Sequence, residues 1–340
     1  MATIVDVAQL AGVSTSTVSH VLNGTRPVRE DTRERVEEAI RATGYRRDSV
    51  ARAMRRSRTE SIGLVVSDVT QPAFAEMVRG VEHEAAAAGH TLLLANSGED
   101  PARELRALQA LTERRVDGLI IAPVGRSHSK EMADIQQRGT PVVLMDRLGG
   151  IRADQVGVEN AAPMRELVLH LVEHGHRRIA LAGGDAAVST VSERRQGYLD
   201  ALAEAGVEAD DALVLMGSGL AADVRRQTTA LFRRADRPTA VVAVSSEAAV
   251  GVLEAAKALG LRTPRDFAFA TFDGFPNADL FRPRLSTVTQ PAYEIGSTAM
   301  QLLLSRLEDD TRTSYRSVRL VPEITYRESC GCPDRDVAVS

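Results

Sequence analysis

Beyond residue 60 the chain repeats one pattern: a short, continuous apolar run followed by a stretch with helical spacing. Apolar runs lie at 62–66, 91–95, 118–122, 142–145, 179–182, 212–216, 240–244 and 267–272. Helical spacing recurs at 73–88, 103–114, 164–174, 191–205, 248–259 and 293–306. A run without polar alternation suits a strand buried on both faces. Strands alternating with helices make parallel sheets covered on both sides. Roughly nine strands fit one sheet or two of about five, and the pattern alone does not choose.

The length, 340 residues, predicts about two domains, and 44% hydrophobic residues supply a core. No segment reaches the ~20 apolar residues of a membrane span. The nearest, 240–253, is interrupted by Ser245, Ser246 and Glu247. No export signal is visible, and Cys330 and Cys332 are too few for a disulfide framework. These features predict a cytoplasmic protein with no membrane partner.

The first sixty residues have a different character. They carry 11 arginines against 8 acids, whereas the rest of the chain is net acidic. Between 46 and 58, Arg46, Arg47, Arg52, Arg55, Arg56 and Arg58 face only Asp48, an electrostatic footprint suited to phosphate. Ahead of this cluster the spacing predicts three short helices. Ile4, Val7, Ala8 and Ala11 share one face, and Gly12 supplies a turn. Ser14 caps a second helix whose buried stripe is Val18, Val21 and Leu22, and Asn23-Gly24 stops it. A third runs from near Arg29 to Gly44, with Val36, Ala39 and Ile40 inward. Ala8, Gly12 and Val18 have helix-turn-helix spacing: a small residue at the helix contact, a glycine turn, and an apolar lock. The polar face of the second helix then presents Thr15, Ser16 and His20 to a DNA groove, with Thr17, Asn23 and Arg26 beside them.

The runs from Met1 to Ala8, from Ala11 to Asn23 and from Arg33 to Tyr45 resemble the head of the LacI/GalR family of bacterial transcriptional regulators. Ser49-Val-Ala-Arg-Ala-Met-Arg resembles that family's hinge helix, and similar runs continue to about residue 330. The resemblance implies a helix-turn-helix head at 1–46, a hinge helix and linker at 47–59, and a core at 60–340. The core would have two lobes of doubly wound parallel sheet, like a periplasmic binding protein. It further implies a repressor that binds a pseudo-palindromic double-stranded DNA operator as a homodimer. Ala51, Arg52 and Arg55 would lie in the minor groove, and Met54 would take the wedge position that is usually leucine.

In such folds ligands sit at the carboxyl ends of the strands. The polar residues there are Asp146, Arg147, Arg194 and Asp273, with Thr190 and Ser246 weaker candidates and Phe74 an apolar wall. Carboxylates accept from vicinal hydroxyls and a guanidinium donates to two oxygens, a set suited to a sugar effector. Phe272 and Phe275 are further rings that a sugar could stack on. One departure matters: where many sugar-responsive members have Asn-Asp, this chain reads Ser245-Ser246-Glu247. A purine or nucleoside effector remains an alternative, as does a solute-binding protein of the same core fold.

Catalytic signals are missing. Gly217-Ser-Gly-Leu-Ala-Ala meets a lenient dinucleotide pattern, but Asp236 precedes the next strand where an acid should end it. His170 and His174 share a helix face, yet no third ligand is evident, so both are expected at the surface. Cys330 and Cys332 are expected as unpaired thiols. No metal, no cofactor and no enzymatic activity are anticipated.

Overall fold

The computed structural model describes residues 2–23, 26–45, 59–125, 128–276, 280–309 and 313–332. They fall into two compact units divided between residues 59 and 60.

The first unit holds α1 (Ile4–Ala11), α2 (Thr15–Asn23) and α3 (Glu30–Thr43). A reciprocal cap starts α1: Thr3 Oγ1 accepts from the Asp6 backbone at 3.4 Å, and Asp6 accepts from the Thr3 backbone at 2.7 Å. Gly12 ends α1 in the left-handed region, φ 65°, where a side chain would be strained. Ser14 Oγ then accepts from the Thr17 backbone at 3.2 Å and caps α2. Val7, Ala8, Ala11, Val18, Val36 and Ala39 form one buried cluster, so the helices meet through the residues the spacing selected.

Among the described residues of the second unit, strands form two six-stranded sheets. The first contains β1 (Ser61–Val66), β2 (Thr91–Asn96), β3 (Gly118–Ile121), β4 (Val142–Met145), β5 (Asp154–Val158) and β11 (Ser317–Leu320), ordered β2-β1-β3-β4-β5-β11. The second contains β6 (Ile179–Ala182), β7 (Val214–Leu215), β8 (Ala240–Ala243), β9 (Ala268–Phe272), β10 (Ser286–Thr289) and β12 (Glu323–Thr325), ordered β7-β6-β8-β9-β10-β12. All pairings are parallel except β12 with β10. Each lobe thus repeats one order, and the side to which successive strands are added reverses beside β1 and β6. The helices are α4 (Pro72–Ala87), α5 (Pro101–Glu113), α6 (Ser129–Gln137), α7 (Ala161–Glu173), α8 (Ser189–Glu204), α9 (Ala221–Phe232), α10 (Ser246–Ala258) and α11 (Ala292–Glu308).

The chain passes between lobes three times. It leaves the first lobe after β5, since α7 packs on β9 and β10. It returns after β10, since α11 packs on α4, β3, β4 and β5. It leaves again between β11 and β12. The doubly wound, two-lobed core implied by the resemblance is therefore present.

Several elements escaped the sequence reading. β5 reads Asp-Gln-Val-Gly-Val and looks polar, yet Asp154 is 1% exposed because Arg306 Nε at 2.5 Å and the Arg316 backbone at 2.6 Å satisfy it. β11 and β12 are short and half-exposed, so they lack an apolar run. The run at 212–216 is mostly a turn, Asp211–Leu213, and only Val214–Leu215 pairs. Helices α6 and α9 also lay outside the expected set.

Helix contacts in both lobes depend on glycine. A Cβ on Gly296 of α11 would lie 1.9 Å from the Met77 carbonyl oxygen, and one on Gly80 of α4 would lie 2.2 Å from that of Tyr293. In the second lobe a Cβ on Gly197 would lie 2.1 Å from the Ala161 carbonyl oxygen. These are backbone obstacles that no rotamer change relieves. Gly80→Ala should therefore destabilise the core by about 1–3 kcal/mol, read as a lowered melting temperature. An unchanged melting temperature would show that α4 and α11 separate without loss.

Candidate functional site

The first unit offers a polar helix face. Ser14 provides the cap, which releases Thr15 from that task; Thr15 and Ser16 are exposed, and Thr17 and His20 are half-exposed. Ser16 Oγ lies 2.7 Å from Ser14 Oγ, so it is partly engaged in the turn. Arg26 is exposed. Ala51, Arg52, Met54 and Arg55 lie outside the described residues, as does the Asn23 side chain.

In the second unit a cleft of about 450 Å³ opens at the carboxyl ends of both sheets, a volume suited to a small metabolite. Phe74, Asp146, Arg147, Thr190, Arg194 and Asp273 all line it. The two aspartates hold equivalent places, immediately after the fourth strand of each lobe. Both have left-handed backbones, φ 64° at Asp146 and 66° at Asp273, which turn their side chains toward the cleft instead of along the strand.

On the first-lobe wall Arg147 donates to both Glu99 oxygens, at 2.8 and 2.5 Å. It also lies 5.8 Å from the Phe74 ring centre, within cation–π range. Burial opposes the Glu99 charge, but the hydrogen bonds from Arg147 hold its carboxyl below the usual range. On the second-lobe wall Arg194 is 3% exposed and donates to Asn160 Oδ1 at 2.8 Å, the Val244 carbonyl at 2.6 Å and Asp273 at 3.3 Å. Its guanidinium sits 3.6 Å from the Phe272 ring centre and covers that ring. Gln290 Nε2 donates to the other Asp273 oxygen at 2.5 Å. Arg147 Nε and Gln290 Oε1 are buried without a hydrogen-bond partner among the described residues. Each therefore retains capacity for a bound polar group.

Three sequence expectations need correction. Ser246 does not line the cleft: it is buried in the first turn of α10, and Ser245 and Glu247 face the cleft in its place. Phe272 and Phe275 do not supply stacking surfaces, because Arg194 covers the first and neither lines the cleft. His170 is half-buried and engaged, since the C-terminal turn brings Cys330 Sγ to 3.3 Å and Cys332 Sγ to 3.2 Å from its Nε2. Glu99, Asn160 and Gln290 went unnoticed. All three follow directly on a strand or its turn, the one signal that could have marked them.

Residues 218–220 of the glycine-rich segment line the cleft, but their chemistry is not that of a phosphate loop. Glu247 accepts from the Ala221 backbone at 3.0 Å and Asp223 accepts from the Ser218 backbone at 3.3 Å, so carboxylates hold the helix start. A Cβ on Gly219 would come within 3.2 Å of the Gly184 Cα, which explains the glycine by close backbone packing.

Residues 59–327 match the family described as periplasmic binding proteins and sugar binding domain of LacI family, and residues 3–48 match bacterial regulatory proteins, lacI family. The HTH-type transcriptional repressor PurR of Photorhabdus laumondii subsp. laumondii is 36% identical over 334 residues, spanning 97% of each chain. That of Mannheimia succiniciproducens is 34% identical over 97% of this chain and 98% of its own. Among solved structures, the transcriptional regulator CelR–cellobiose complex is 31% identical with a TM-score of 0.72, covering 97% of this chain and all of that one, 100%. The lac repressor dimer bound to operator and the anti-inducer ONPF shares the fold, with a TM-score of 0.83 at 24% identity over 97% and 99% of the two chains. No helix among the described residues is long and apolar enough to cross a membrane.

Burial pushes Asp146 up to about 6; Arg147 and Arg194 pull it down by less, and Asp273 and Glu99 add to the rise. Its ordinary value is 3.8, so ionisation opposes folding. The penalty is absent below the unfolded value, grows as pH rises, and is complete above the folded value, at about 3 kcal/mol. Asparagine tolerates the left-handed backbone. Asp146→Asn should therefore raise the unfolding free energy by about 1–3 kcal/mol at neutral pH, and by little near pH 4. A gain that persists on acidification would remove the assignment.

Proposed function

The chain belongs to the LacI family of bacterial regulatory proteins and is a DNA-binding regulator; we propose that it represses transcription under control of a small molecule held in the interlobe cleft. The observation that carries this is the pairing, in one chain, of a helix-turn-helix unit with an effector-sized cleft lined by charged pairs. The relatives named as repressors span nearly all of both chains. The hydroxyl of Ser218 at the cleft is bound to Asp223 at 3.1 Å, and that carboxylate also accepts from the Ser218 backbone at the start of α9, a capping arrangement that supports a binding protein over an enzyme. The proposed setting is the cytoplasm, where the operator is.

In this reading Thr15, Ser16, Thr17 and His20 meet base edges in the major groove, and Asn23 and Arg26 flank them. Residues 47–59 form the hinge, with Ala51, Arg52 and Arg55 in the minor groove and Met54 as wedge. The single head is small, so affinity for a pseudo-palindrome comes from a homodimer.

The effector we favour is a sugar. Phe74 is the one aromatic ring lining the cleft among the described residues, too few to sandwich a planar base. Asp273 with Arg194 and Glu99 with Arg147 present acceptors and donors from opposite walls, as vicinal hydroxyls require. The CelR structure was solved with cellobiose, which supports the same class. The purine alternative draws on the name of the PurR relatives.

Two experiments test this. A thermal-shift panel of sugars and purines should single out a sugar, and that compound should change the protein's affinity for a selected palindromic duplex. A purine hit would transfer the site to the alternative, and no preference for any palindrome over random duplex would end the regulator reading. Asp273→Asn should weaken the effector at least tenfold while operator affinity without effector stays within about twofold. Met54→Gly should do the reverse, weakening the operator and sparing the effector, by anisotropy and calorimetry.

A further inference from the structure

We propose that His170, Cys330 and Cys332, with His174 at the fourth corner, form a binding site for a zinc-class cation in the second lobe. The three side chains converge from separate parts of the chain. His170 lies on α7, whereas Cys330 ends the turn Glu328–Cys330 and Cys332 follows it after Gly331. Their ligand atoms all lie within 4.8 Å of one another. Cys330 Sγ stands 3.3 Å from His170 Nε2 and 3.2 Å from Cys332 Sγ, and Cys332 Sγ is 3.2 Å from His170 Nε2. His174 Nε2 adds a contact of 3.6 Å to Cys332 Sγ.

Those spacings are slightly shorter than the edges of a zinc tetrahedron, so a cation would enter by spreading the three side chains a few tenths of an ångström. With Zn–S near 2.3 Å and Zn–N near 2.0–2.1 Å, neighbouring ligand atoms stand about 3.3–3.8 Å apart. A sulfur–sulfur separation of 3.2 Å is far longer than the ~2.05 Å of a disulfide, so the two thiols are unbonded neighbours. The mixed sulfur and imidazole set selects a soft or borderline cation over magnesium or calcium.

The surroundings orient the ligands. His174 Nδ1 is 2.8 Å from the His170 carbonyl, which accepts a hydrogen bond from the ring N–H on that side and leaves Nε2 as the ligating nitrogen. The Tyr326 ring stacks on His170 with centres 3.8 Å apart and fixes its plane. Ser329, between the ligating segments, donates to the Phe269 carbonyl at 2.6 Å and accepts from the Ser286 backbone at 2.8 Å. The turn carrying the cysteines is thereby anchored to β9 and β10 before any cation arrives. With His174 turned in to complete the set, no open position would remain and the site would be structural, stapling the C-terminal turn to α7.

The test uses the full chain, reduced and freed of metal with a chelator. Titration with Co²⁺ should give sulfur-to-cobalt charge-transfer absorption that saturates at one equivalent. One equivalent of Zn²⁺ should then abolish the band and raise the melting temperature. The C330S/C332S double variant should lose both responses. His170→Gln keeps both thiols and should weaken Co²⁺ at least tenfold; its circular dichroism, matched to the parent's, separates ligand loss from misfolding. Absence of the charge-transfer band in the reduced protein would overturn the proposal. So would equal zinc binding by C330S/C332S, or a protein that forms only a Cys330–Cys332 disulfide and takes up no Co²⁺ once reduced.

Discussion

A buried guanidinium organises the second unit. Arg194 is 3% exposed, and an unpaired charge there would cost several kcal/mol, so its partners are obligatory. Besides the Val244 carbonyl, they are Asn160 and Asp273, which tie it to the connections between the lobes. Asn160, which accepts from Arg194, sits where the chain first leaves the first lobe. Asp273, the second partner, is held by Gln290, which sits where the chain returns. Asn160 in turn donates to Glu193 at 2.8 Å, and Glu193 receives both nitrogens of Arg319 at 2.7 Å each, on the last strand before the third connection. One hydrogen-bonded chain thus joins all three crossovers to the wall of the cleft.

That arrangement gives a ligand mechanical reach. In the proposed reading, a molecule engaging Asp273 or Arg194 would redistribute hydrogen bonds that also fix the crossovers, where a change of lobe angle would occur. The lobes also meet directly, since the Leu148 backbone donates to Ser189 Oγ across the cleft at 3.1 Å. The first-lobe wall is held differently, by the Arg147–Glu99 pair and the partly uncompensated carboxyl of Asp146. A carboxylate kept in a poorly solvated place destabilises the ligand-free protein, and hydroxyl donors from a ligand would relieve it. In the proposed reading, stability given up at Asp146 would be regained on binding, a compromise common at functional sites.

Much of this architecture was legible in the sequence. The eight apolar runs fall on strands or their edges, and the contacts of Ala8, Gly12 and Val18 follow from helical spacing. Six of the seven cleft candidates line the cavity because strand ends are where such sheets place polar side chains. Ser246 failed by one position: a helix start turns successive side chains by about 100°, and sequence does not fix the phase to within a residue. β5 failed because a buried acid reads as surface until its arginine partners are known, and Arg306 and Arg316 lie some 150 residues away in sequence.

The sequence by itself determined local matters: the turn at Gly12, the cap at Ser14, the strand and helix alternation, and the aspartates at strand ends. Each depends on residues a few positions apart, whose geometry the backbone dictates. Tertiary structure decided whatever depends on distant partners. It divided the strands into two sheets, buried Arg194 against residues 34 to 79 positions away, and brought Cys330 160 positions back to His170. Hydrogen bonds and ligand sets of that kind arise from chain closure in three dimensions, which a one-dimensional spacing pattern does not encode.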